Sequence, residues 1–137
     1  MAHFRQGVFW HGVRNGTWLT PQRVRGYSLI LLGFYAAAIV IWIALSHGLI
    51  DPNGKPIGTD FSNVYAAGTL LWRGAAADAY SPALQHAAEA AVFGREVPFY
   101  GWHYPPFFLV VAATVATVPY AWGLFGWLVA GLAAYLA

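Results

Sequence analysis

Apolar positions fall into two long runs separated by a punctuated polar stretch. From Tyr27 to Ser46 the chain carries no charged side chain over 20 residues. As a helix rising about 1.5 Å per residue, this run matches the roughly 30 Å hydrocarbon core of a bilayer and predicts a transmembrane helix over 27–46. Ala44-Leu45-Ser46 loosely fits a small-x-small cleavage site. The run is nevertheless longer than the roughly 7 to 15 apolar residues of a signal core and follows a long leader, which favours an anchor. The second run, Phe107 to Ala137, is also uncharged. As one helix it would be about 46 Å long, too much for a single crossing without strong tilt, and Pro119 offers a break. Two further membrane segments, 104–118 and 121–137, are expected as a hairpin.

Between the runs the period changes. Asp51-Pro-Asn-Gly-Lys-Pro-Ile-Gly58 concentrates turn formers. Phe61, Val64, Tyr65, Gly68, Leu71 and Trp72 then recur at helical spacing and predict an amphipathic helix near 60–73. Thr59 or Asp60 would accept hydrogen bonds from its free N-terminal amides, and Gly74 would supply a left-handed stop. Ser81-Pro82 signals a second short helix, near 82–93, ending by Gly94, whose alanines favour helix without a strong apolar face. In His103-Tyr104-Pro105-Pro106 the prolines push the preceding residues out of helical geometry and preset a new first turn. The surrounding Trp and Tyr residues suit a headgroup boundary, so the chain is expected to re-enter the membrane here. Residues 1–26 show no persistent period and are expected to form a tail with little structure. The expected fold is an all-α integral membrane protein with about three membrane segments and a loop, 47–103, carrying two short helices.

Composition and charge orient this arrangement. The chain is 59% hydrophobic and only 9% charged, far from the usual soluble balance. Arg5, Arg14, Arg23 and Arg25 precede the first apolar run with no acid among them, whereas all acids lie between Asp51 and Glu96. The positive-inside rule then predicts a cytoplasmic N-terminus and an extracytoplasmic 47–103 loop, in a multi-pass protein of the plasma (inner) membrane in contact with its lipids. The same placement explains the basic balance without a nucleic-acid partner. Absence of cysteine excludes disulfides and cysteine-ligated metals. The chain stops at Ala137 inside an apolar run with no polar cap, which reads as cut rather than finished.

No phosphate-binding glycine loop, nucleophile elbow or His-Glu-x-x-His zinc motif occurs. Candidate chemistry sits in the loop, first of all at Asp60. As a helix-start aspartate it could simply cap; as a carboxylate just outside the bilayer it could act as a general base on a sugar hydroxyl. One carboxylate suffices where phosphate leaves, since phosphate needs less protonation than the alkoxide expelled in glycoside hydrolysis. His103 and Tyr104 could bind a hydroxyl or phosphate, and Arg73 and Arg95 could pair with phosphate or lipid headgroups. Phe61, Tyr65, Trp72, Phe99, Tyr100 and Trp102 could stack on sugar or polyprenyl, although an interfacial belt accounts for most of them. Asp51, Asp78, Glu89 and Glu96 lack metal-ligand spacing and read as solvated loop charges, so neither metal nor cofactor is expected.

The ordered set Gly58-Thr-Asp-Phe-x-x-x-Tyr65, Leu71-x-x-Gly74, Ala79-Tyr80, Tyr104-Pro-Pro and Val118-Pro119-Tyr120 resembles glycosyltransferase family 87, multi-spanning enzymes of the GT-C superfamily. The resemblance runs from about residue 27 to 137. It implies the N-terminal portion of a GT-C type fold and inverting transfer of a sugar, mannose by the resemblance alone, from a polyprenyl-phosphate donor to a lipid or glycan acceptor on the extracytoplasmic face. The family's proposed base falls on Asp60. Members usually carry several further membrane helices, so this chain is expected to hold the base without the whole site and to be too short to act alone. The alternative is a non-catalytic small membrane protein, an assembly partner whose apolar hairpin packs against another subunit.

Overall fold

A computed structural model describes residues 14–16 and 18–137. The expected tail residues 1–13, including Arg5, and residue 17 lie outside the described residues. Those described are helical with no strand, and the chain divides into two compact units, 1–44 and 45–137.

In the first unit, α1 runs Pro21–Ala44, 24 residues. It starts at Pro21 rather than at 27, so the end of the expected tail is helical. The reason is local: the Thr20 hydroxyl accepts the Arg23 amide at 3.3 Å, and Pro21 occupies the first helical position, where its missing N–H costs nothing. The Arg23 guanidinium donates to the Trp18 carbonyl at 3.0 Å. None of the helix is buried. At about 36 Å, it is the one helix among the described residues long and apolar enough to cross a membrane.

The second unit opens with the turn-rich segment 45–58. Asp51 is buried rather than solvated as expected, because its carboxylate accepts the amides of Asn53 and Lys55 at 2.9 and 2.8 Å. Four helices follow: α2 (Thr59–Trp72), α3 (Pro82–Phe93), α4 (Phe108–Val115) and α5 (Tyr120–Leu136), with a 3-10 helix over Ala76–Tyr80 between α2 and α3. Turn chemistry sets their limits. The amide of Gly74 bonds the Leu71 carbonyl and that of Ala75 the Leu70 carbonyl, closing α2 in a Schellman turn. Pro82 opens α3 and a left-handed Gly94 ends it. Pro119, extended at ψ 146°, separates α4 from α5.

The central element is α2, which packs on α3, the 3-10 helix, α4 and α5. Val64, Ala67 and Leu70 from α2 meet Leu109 and Ala112 from α4, Ala88 from α3, and Trp102. Three aromatic polar groups at the edges of this core are paired with backbone carbonyls. The Trp72 indole donates to the Ala113 carbonyl at 2.8 Å, and the phenols of Tyr65 and Tyr120 donate to the carbonyls of Val118 and Ile57 at 2.8 Å. The opposite surfaces of α4 and α5 expose Val110, Trp122, Phe125, Leu128, Leu132 and Tyr135.

Candidate functional site

Asp60 is the second residue of α2, and its expected capping role is not observed. The helix is preceded by Gly58 at φ 79°, and no side chain caps it; instead the Phe61 amide bonds the Gly58 carbonyl at 2.6 Å. A left-handed residue at this position turns the chain sharply into the helix and points neither Thr59 nor Asp60 back at the free amides. Among the described residues Asp60 has no hydrogen-bond or ion-pair partner, and it is exposed.

Its surroundings form an open cavity of about 360 Å³ lined by Asp60, Asn63, Phe99, Tyr100, Gly101, His103 and Tyr104. One wall is the first turn of α2. The other is the segment 99–104, brought there by α3, which ends at Phe93 and lets the chain double back. His103 folds over Gly101, its Nδ1 2.7 Å from the Gly101 carbonyl oxygen. A carbonyl only accepts, so Nδ1 carries the proton; in a neutral ring the lone pair then sits on Nε2. A side chain at Gly101 would meet the imidazole at 2.7 Å. Phe99, Gly101 and His103 also line a smaller cavity of about 130 Å³ with Tyr80 and Trp102.

Three buried polar side chains stand behind the wall: Asn63 and Gln85, which were not singled out in the sequence, and Glu89, which was expected in solvent. Gln85 and Glu89 are fully buried on α3, and Asn63 is 8% exposed. Glu89 accepts the Tyr100 amide at 2.9 Å and lies 3.4 Å from the Gln85 amide nitrogen. That nitrogen also donates to the Asn63 carbonyl at 3.0 Å, while the Asn63 side chain donates to the Gly101 carbonyl at 3.2 Å. Burial pushes the Glu89 carboxyl above the usual carboxylate range, opposed by its hydrogen bonds from Tyr100 and Gln85 and by His86. Glu89 is therefore not the solvated loop charge expected. Its signal was the i, i+4 pairing with Gln85 around Ala88: in a helix with no strong apolar face, the buried stripe must include the polar residues between the alanines. Burial also raises the Tyr100 phenol, helped by the negative charges of Asp51, Glu89 and Asp60.

Of the residues expected to serve a site, Asp60, His103 and Tyr104 share the cavity, joined by Phe99 and Tyr100 from the expected aromatic set. Tyr65, Arg73 and Arg95 do not line it. The Tyr65 ring packs edge-on to Tyr120 at 5.1 Å between centroids. Arg73 is exposed just past the far end of α2, and Arg95 is exposed just past α3. Phe61 and Trp102 are core residues. No Lys or Arg among the described residues lines the cavity, so what the arrangement offers is a carboxylate, an imidazole and aromatic faces. It suits a neutral hydroxylated ligand rather than a phosphate. The chain matches no family model, no curated protein and no solved structure.

Proposed function

We propose that this chain is the base-bearing N-terminal part of a membrane glycosyltransferase that uses a polyprenyl-phosphate sugar, mannose by family resemblance. The observation that carries it is the Asp60 carboxylate, free of any capping bond, facing an aromatic cavity that no Lys or Arg among the described residues lines. In this reaction Asp60 takes the proton of an acceptor hydroxyl. The hydroxyl oxygen then bonds the sugar's anomeric carbon as the carbon–oxygen bond to phosphate breaks. Polyprenyl phosphate leaves with the electron pair, and the anomeric centre inverts. Phe99, Tyr100 and Tyr104 supply ring faces for the acceptor's C–H surfaces, and His103 can bond a second hydroxyl. Because no Lys or Arg among the described residues lines the cavity, it takes the lipid or glycan acceptor; the donor's phosphate is held by groups outside it.

Support for the setting comes from α1, apolar throughout its middle and preceded by Arg14, and from the apolar outer surfaces of α4 and α5. We place α1 across the plasma membrane and the exposed apolar surfaces of α4 and α5 against its lipid, with the N-terminus cytoplasmic and the Asp60 cavity on the opposite side.

The experiment is transfer of labelled sugar from a polyprenyl-phosphate mannose in membranes carrying the full-length gene product. Asp60→Asn is expected to lower transfer by about 10² to 10⁴-fold, the usual contribution of a general base, at unchanged membrane abundance. Undiminished transfer overturns the assignment of the base.

A further inference from the structure

We propose that Glu89 is a positioning residue that holds the Tyr100–Gly101 wall of the cavity opposite Asp60. Three separate segments meet at this point. Glu89 on α3 accepts the Tyr100 amide at 2.9 Å. Gln85, one turn earlier, ties α3 to α2 through the Asn63 carbonyl at 3.0 Å. Asn63 returns a bond to the wall at the Gly101 carbonyl, 3.2 Å. The 99–104 segment has no helix or strand of its own, so the Tyr100 amide takes its partner from Glu89, while the Gly101 carbonyl is shared by Asn63 and His103.

The network also fixes which face Asn63 offers. Because the Gly101 carbonyl can only accept, the Asn63 amide nitrogen must face it, and the side-chain oxygen is left without a partner. Asn63 stands three residues after Asp60 on α2, hence on the same face, and lines the same cavity. Removing Glu89 would free the Tyr100 amide, leaving the wall tethered only one residue on, at the Gly101 carbonyl. A buried carboxylate costs stability by desolvation. What the carboxylate provides is an acceptor with a fixed direction for a loop amide.

The effect on transfer rests on the transferase reading; the ordering of the wall does not, and the test separates them. Hydrogen exchange of the full chain in detergent micelles, read on peptides covering 98–104 and 59–72, is compared for the native protein, Glu89→Ala and Glu89→Gln. Glu89→Ala is expected to speed exchange in 98–104 by about tenfold or more, as befits loss of a bond to a charged or strongly accepting group, with 59–72 unchanged. Glu89→Gln, whose side-chain oxygen can still accept the Tyr100 amide, is expected to restore protection. In the polyprenyl-phosphate mannose assay, transfer falls with Glu89→Ala and recovers with Glu89→Gln. Unchanged exchange in 98–104 for Glu89→Ala overturns the proposal. So does equal loosening of 59–72 and 98–104 in both variants, which would assign Glu89 to packing alone. If exchange behaves as expected while Asp60→Asn transfers normally, the wall-positioning role stands and the transferase reading falls.

Discussion

Gly68 and Ala112 stand in a contact that only glycine permits. A side-chain carbon on Gly68 would collide with the Ala112 carbonyl oxygen and come within 2.8 Å of the Ala116 methyl. The first obstacle is α4 backbone, which cannot swing aside as a side chain could. Gly68→Ala is therefore expected to destabilise the second unit by about 1–3 kcal/mol or more, as over-packing does. The check is a lowered unfolding midpoint in micelles. A native midpoint would show that the crossing is looser than described.

Stability should depend on pH through Glu89. Its folded carboxyl is raised above the reference value of 4.5, chiefly by burial, so between 4.5 and that raised value the native state holds a proton that the unfolded state has lost. Stability then falls as pH rises through this interval. Glu89→Gln removes the ionisation, and its unfolding midpoint should vary less with pH than the native one across that window. Parallel pH curves for the two proteins would contradict the burial of Glu89.

Tyr65 works for the fold rather than for the cavity. Its phenol donates to the Val118 carbonyl at 2.8 Å, at the turn between α4 and α5. Tyr65→Phe should cost about 1 kcal/mol of stability and leave sugar transfer at the native rate. A selective loss of transfer with stability intact would return Tyr65 to the binding residues.

Orientation tests function as well as topology. A reporter active only outside the cytoplasm, fused after residue 60, is expected to be active, since the proposed acceptor and donor meet on that face. A cytoplasmic location would remove the external transferase reading along with the topology.

The helices were largely legible from the residues. Ser81-Pro82 and Gly94 bracket α3, Gly74 closes α2, and Pro119 parts α4 from α5, because proline and glycine act on φ at their own positions. Thr20-Pro21 carried the same signal as Ser81-Pro82 and places the start of α1 well before the apolar run. There hydrophobicity marked the part of the helix fit for lipid, not the helix itself.

The cavity was legible only in part. His103 and Tyr104 stood out by their prolines and Asp60 by its position, yet Asp60's loss of a capping role followed from the φ of Gly58. Asn63, Gln85 and Glu89 gave no motif, because their importance comes from one another and from one loop carbonyl and one loop amide, at Gly101 and Tyr100. The sequence by itself determined where helices begin and end and which run can lie in a bilayer, since these depend on local backbone freedom and on summed side-chain transfer energies. The tertiary structure alone decided which polar groups are buried and which stay open to a ligand. Hydrogen-bond partners are chosen by packing across distant segments, and Asp60 is left free because nothing packed against α2 uses it.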